Sequence, residues 1–183
     1  MPCPSRGPWL TRRTELRRPR KRTRPSRRKA GSRQPDPATA YDVAVRLLGQ
    51  RAHSAVELAR KLARRGFEDE AIGLVLDRLA ELGYLDDAEY ARALVNHRGG
   101  SRGAAAIAAE LASKGVARPL VQAAVAELDP ELELAAAERF ARRWLPRAVP
   151  GSFRSLLEVA GPRLARRGFS PSVVREACRR ALA

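Results

Sequence analysis

Asp86-Asp87 is the pair of side chains closest in kind to a metal site or an acid–base couple. Adjacent carboxylates at the start of a helical stretch are more simply caps for its free amides. His53 and His97 each stand alone, with no Cys or carboxylate expected at ligand spacing. The run Gly99-Gly100-Ser101-Arg102-Gly103 lacks both a preceding strand and a following Gly-Lys-Ser/Thr, so it is not a phosphate loop. No nucleophile, base and orienting group can be assembled from the remaining residues. The expectation is a protein that is not an enzyme and uses no cofactor or metal.

Arginine is the other chemically capable residue type. Arg51, Arg64, Arg65, Arg102, Lys114, Arg142, Arg143, Arg166 and Arg167 are the candidates for contact with a partner or DNA. A guanidinium pairs bidentately with phosphate or carboxylate. Any one of these cations also reads as part of a solvated helix face, or as a complement to a helix C-terminus. Arg64-Arg65-Gly66 and Arg166-Arg167-Gly168 invite a helix-turn-helix reading. The unit recurs three times, however, which favours packing as its reason.

The elements that must hold these residues follow from an internal repeat. Leu62-Ala63-Arg64-Arg65-Gly66-Phe67 returns as Leu111-Ala112-Ser113-Lys114-Gly115-Val116 and as Leu164-Ala165-Arg166-Arg167-Gly168-Phe169. A helix end accepts a residue of positive φ just past its last turn, and glycine takes it without a Cβ clash. Gly66, Gly115 and Gly168 are therefore expected helix stops. Phe67, Val116 and Phe169 should fold back onto Leu62, Leu111 and Leu164. Six residues past each glycine stand Ile72, Val121 and Val174; ten past stand Leu76, Val125 and Cys178; thirteen past stand Leu79, Leu128 and Ala181. Those spacings share one helical face.

A further helix precedes each pair. Its expected apolar stripes are Tyr41, Ala44, Val45 and Leu48, then Tyr90, Ala91, Leu94 and Val95, then Leu132, Ala136, Phe140 and Trp144. Ser54 with Glu57 predicts a capping box, Asp86 with Glu89 an acidic analogue, and Ser170-Pro171 an N-cap followed by proline at the first helical position. Gly161-Pro162 predicts a kink or a restart in the eighth helix. The fold class expected is all-α: three tandem three-helix repeats forming an elongated curved body, over residues 39–84, 85–129 and 130–183. Alternating strand patterns are lacking.

Charge is unevenly spread. Of a net +16 on 183 residues, residues 1–38 carry 13 Lys/Arg against 2 acids, residues 39–129 carry 12 against 13, and residues 130–183 carry 11 against 5. Residues 1–38 thus read as a disordered Arg-rich tail, kept open by self-repulsion and proline. A DNA-tethering arm, a non-specific basic arm, a misplaced start and a transit peptide all fit such a tail, and Trp9 within it could stack on a base. Cys3 and Cys178 form no disulfide framework, which suits a reducing cytosol. No apolar run approaches the length of a membrane span.

Three stretches, in order, resemble the RecX family. Arg51-Ala52-His53-Ser54-Ala55-Val56-Glu57-Leu58, with Leu62 and Arg65-Gly66-Phe67, is similar to that family's first motif. Leu79, Leu82-Gly83-Tyr84-Leu85-Asp86-Asp87 and Tyr90-Ala91 resemble its junction between modules. Gly103, Ile107, Glu110-Leu111 and Lys114-Gly115-Val116 resemble its second-module core. The similarity spans about residues 40–183. It implies a regulator that binds the RecA–DNA filament; a cytoplasmic location, from the cysteine usage, and a monomer, by default, are expected beside it. It further implies damping of RecA's ATPase, strand-exchange and coprotease activities, in recombination, repair and the SOS response. The alternative reading from charge alone is a non-specific, architectural DNA-binding protein.

Overall fold

The computed structural model describes residues 37–183. Among these residues there are nine α-helices, one short 3-10 turn and no strand. The helices are α1 (Pro37–Leu48), α2 (Ala55–Ala63), α3 (Asp69–Glu81), α4 (Asp87–Gly99), α5 (Ala104–Ser113), α6 (Arg118–Ala126), α7 (Pro130–Arg142), α8 (Phe153–Arg166) and α9 (Pro171–Leu182). The 3-10 turn, Leu145–Arg147, lies between α7 and α8. Helix α1 starts at Pro37, two residues inside the stretch expected to be tail. The expected disordered arm up to residue 36, with Trp9 and Cys3, falls outside the described residues.

The helices group in threes, each around its own buried cluster: α1–α3, α4–α6 and α7–α9. In each unit the first and third helices pack on one another, and the middle helix closes the core. The leucine before each glycine stop (Leu62, Leu111, Leu164) is fully buried, as is the residue one turn earlier (Leu58, Ile107, Ala160). Deleting one such leucine typically costs about 2–5 kcal/mol.

The glycine ends have the expected geometry. Gly66, Gly115 and Gly168 have φ of 89°, 83° and 84°. Phe67 N donates to Leu62 O at 3.4 Å and Gly66 N to Ala63 O at 2.9 Å, the two bonds of a Schellman end. The same pair recurs at Leu111/Ala112 and at Leu164/Ala165. A fourth such end closes α3: Gly83, at φ 72°, donates to Ala80 O, and Tyr84 N donates to Leu79 O.

Two expected stripes move. On α1 the buried line is Ala40, Ala44 and Leu47, while Val45 is 43% exposed. On α7 it is Leu134, Ala137 and Ala141 with Ala136, while Leu132 is 60% exposed and Phe140 and Trp144 are half-buried. A strict four-residue spacing drifts round a helix of 3.6 residues per turn, so such a line leaves the core within two or three turns. In the third helix of each unit, the residue nine past the glycine (Val75, Ala124, Ala177) is buried every time, which the ten-residue line had missed. Helix α8 runs through Pro162 as one helix and does not restart there.

Ser54, Asp86 and Ser170 cap as expected, accepting from Glu57 N, from Ala88 N and Glu89 N, and from Val173 N. The reciprocal half of the Ser54 box is replaced: the Glu57 carboxylate turns toward a cluster of cations.

Candidate functional site

The units are joined by one contact made twice. In each joint the start of a unit's middle helix sits on the glycine stop of the next unit. At the first joint a Cβ on Gly115 would lie 2.5 Å from Val56 Cβ. At the second, a Cβ on Gly168 would lie 2.2 Å from Ala106 N, and one on Gly103 would lie 2.3 Å from Gly168 O. These glycines are needed for close approach as well as for φ.

The polar contacts repeat too. The Ser54 hydroxyl donates to Lys114 O. At the equivalent place Gly103 N donates to Arg167 O at 3.0 Å. Ala55 N, at the start of α2, donates to Asp87 Oδ1 at 2.8 Å. Ala104 N, at the start of α5, donates to Glu133 Oε1 at 2.9 Å. An acid from the next unit thus satisfies a free N-terminal amide in each case, a favourable placement against the helix dipole. Gly66, the first stop, would meet nothing within 4 Å among the described residues.

The joints differ in charge. Glu57 anchors the first. Its carboxylate pairs with Arg51, lies 3.4 Å from His53 Nδ1 and 3.7 Å from Lys114 Nζ, and is 3.9 Å from Lys61 Nζ. Burial pushes this carboxyl's pKa up. Hydrogen bonds from Arg51 and His53, and the charges of Arg51 and Lys114, overcome that and hold it at about 2. The buried His53 has its pKa lowered, first by burial, with the neighbouring Arg51 and Lys61 charges adding to it. His53 therefore does have a carboxylate in reach, four residues on, although it was expected to stand alone. The arrangement is a structural ion cluster: among the described residues no group of three His, Cys, Asp or Glu side chains could hold a metal.

The second joint lacks such an anion. Forty-nine residues on from Glu57 stands Ala106, and fifty-three on from Lys114 stands Arg167. Arg167 lies over the Phe140 ring, 4.2 Å from its centroid, and donates to Ser101 O at 3.2 Å. Arg139 donates to Gly100 O at 3.1 Å. Together with Arg143 they line a concavity of about 160 Å³ that contains no carboxylate.

The nine expected cations thus separate. Arg51, Lys114, Arg102 and Arg142 are ion-paired, with Glu57, Glu57, Glu110 and Glu138 respectively. Arg65 donates to Lys61 O at its own helix end. Arg64 is exposed at the first glycine stop. Arg166 shares a shallow concavity with Arg102 and Gly168. Arg143 and Arg167 come together, with Arg139, which the sequence reading had passed over. The acid at Asp86 is a cap, as expected, held below the usual carboxylate range by the Glu89 and Ala88 amides.

Comparison with known proteins agrees with this geometry. The sequence model of the RecX first three-helix domain matches residues 40–79, and that of the second three-helix domain matches residues 86–125. The chain is 36% identical to the regulatory protein RecX of Mycolicibacterium smegmatis over 166 residues, covering 85% of this chain and 88% of that protein. It is 42% identical to the regulatory protein RecX of Thermobifida fusca over 137 residues, covering 73% of each. The crystal structure of RecX from Lactobacillus salivarius shares the fold, with a TM-score of 0.73 at 19% identity, over 79% of this chain and 96% of that one. With relatives of this similarity along most of its length, the chain belongs to the RecX family of regulatory proteins.

Proposed function

We propose that this protein binds the RecA–DNA filament and modulates, mainly by inhibition, RecA's recombinase, ATPase and coprotease activities. The observation that carries the reading is the extent of the similarity: it covers 85% of this chain and 88% of a relative named as a regulatory protein. The build supports it. Two tightly packed joints tie three small units into a continuous array, and such an array offers one long surface to a long partner. The chain is read as non-enzymatic, cytoplasmic and monomeric, acting by binding alone. Among the described residues no helix is long and apolar enough to cross a membrane.

The test is co-sedimentation with preformed RecA filaments on single-stranded DNA at near-physiological salt, beside the same DNA without RecA. Saturable binding to the filament at a fixed ratio to RecA, well above binding to bare DNA, is the expected result. Equal binding to both would support the second reading, a non-specific DNA-binding protein. That alternative is favoured by the net charge of +16 and by the uncompensated arginines of the second joint.

A further inference from the structure

We propose that the joint between the second and third units is a phosphate-binding site that grips the DNA backbone through Arg139, Arg143 and Arg167. The proposal deepens the reading above and rests on it only in taking DNA as the source of the phosphate.

The internal repeat supplies the argument. The protein builds the same joint twice, so one serves as a reference for the other. At the first, the cation preceding the glycine stop, Lys114, faces Glu57. At the second, the corresponding Arg167 faces no acid, because Ala106 stands in the place of Glu57. Two more arginines are added at this joint. Of the three, none is ion-paired to an acid among the described residues.

The site is also organised in advance. Arg139 and Arg167 are each tethered by one donor to a backbone carbonyl, Gly100 O and Ser101 O, and Arg167 is further held against Phe140. A guanidinium has five N–H donors, so each keeps several for a ligand. Arg143 is exposed and makes no side-chain hydrogen bond or ion pair among the described residues. Three planar forks around a small concavity gather donors and positive charge for the two non-bridging oxygens of a backbone phosphate.

The contact is to phosphate and not to a base. The ring of Phe140 is covered by Arg167, and that of Trp144 by Arg163 at 4.0 Å and Arg147 at 4.8 Å from its centroid. No open aromatic platform is left beside the concavity for a base to stack on. Binding here is therefore indifferent to sequence.

The test uses the full chain and a mixed-sequence duplex oligonucleotide without RecA, so that its outcome is independent of filament binding. Affinity is measured against salt for the wild type, for Arg143→Ala with Arg167→Ala, and for a charge-matched control, Arg118→Ala with Arg175→Ala. Each arginine withdrawn from the DNA backbone should flatten the log–log salt slope by about 0.9 and, near 0.15 M salt, weaken binding about 5-fold. The site pair should therefore reduce the slope by about 1.8 and the affinity by about 30-fold, and the control pair should do much less. Equal reductions in both pairs, or none in either, would overturn the proposal.

Where removing Arg167 unfolds the joint, as circular dichroism would show, Arg143→Ala alone carries the test, with an expected slope change of about 0.9. Calorimetric titration with inorganic phosphate separates the sources. Saturation below about millimolar phosphate, with an unchanged DNA slope in the variants, would assign the site to a free anion. An unchanged DNA slope with weaker binding to RecA alone would assign it to an acidic protein surface. Either result would contradict the proposal.

Discussion

Replacing Glu57 by glutamine removes the one anion on which Arg51, Lys61 and Lys114 converge, and so tests how the first joint is held. The carboxyl's ordinary pKa of 4.5 falls to about 2 in the folded chain. That gap corresponds to at most about 3 kcal/mol. Arg51 is half exposed and Lys114 a third exposed, so solvent screening brings the expected contribution to roughly 1–2 kcal/mol. Because the folded pKa is depressed, the stabilisation is fully present above pH 4.5 and is lost as pH falls from 4.5 toward 2. Urea unfolding of wild type and Glu57→Gln at pH 7 and at pH 3 reads it directly. The variant should be less stable by roughly 1–2 kcal/mol at pH 7, with more than half of that difference gone at pH 3. A difference of the same size at both pH values, or none at pH 7, would refute the account of Glu57 as a charged anchor.

Further outcomes follow from the same contacts. Burial lowers the His53 pKa in the fold, so stability should decline as pH drops through about 6.5, where the unfolded imidazole takes up its proton; His53→Gln should flatten urea-unfolding stability between pH 7 and 5.5. Gly66→Ala should cost about 1–2 kcal/mol, the penalty of positive φ alone, since its Cβ would meet open space. Gly168→Ala should cost more, because its Cβ would also strike Ala106. Gly103→Ala, at an ordinary φ of −81°, should destabilise only through its clash with the Gly168–Phe169 backbone. Thermal melts rank the three, and equal destabilisation at Gly66 and Gly168 would contradict the joint. Leu164→Ala should cost about 2–5 kcal/mol and Leu74→Ala, at a 61%-exposed position, under about 0.5 kcal/mol, by chemical denaturation.

Local chemistry was the legible part. A leucine four residues before a glycine, with an apolar residue after it, specifies a helix end by short-range contacts, so Gly66, Gly115 and Gly168 could be recognised without knowing the fold. Their second duty could not. The contacts of Gly115 with Val56, and of Gly168 with Ala106, join residues about 60 apart, and nothing local marks them. Glu57 illustrates the same limit. Its spacing from Ser54 suggested a capping box, but a nearby Arg51 and a Lys114 from the next unit offer the carboxylate more than one backbone amide does. Among the candidate arginines, sequence identifies the charge but not its neutralisation: Arg102 and Arg142 face glutamates, while Arg139 and Arg143 face an open concavity. The apolar stripes of α1 and α7 were displaced because large side chains drew the line, whereas the close helix packing rests on Ala40, Ala44, Ala137 and Ala141.

The most direct test of the central claim is DNA-dependent ATP hydrolysis by the RecA of the same organism, with this protein titrated in at near-physiological salt. Filament regulation predicts a saturating loss of hydrolysis at substoichiometric ratios to RecA, because one bound array acts on several subunits. Hydrolysis that stays unchanged while the protein occupies the DNA would contradict it.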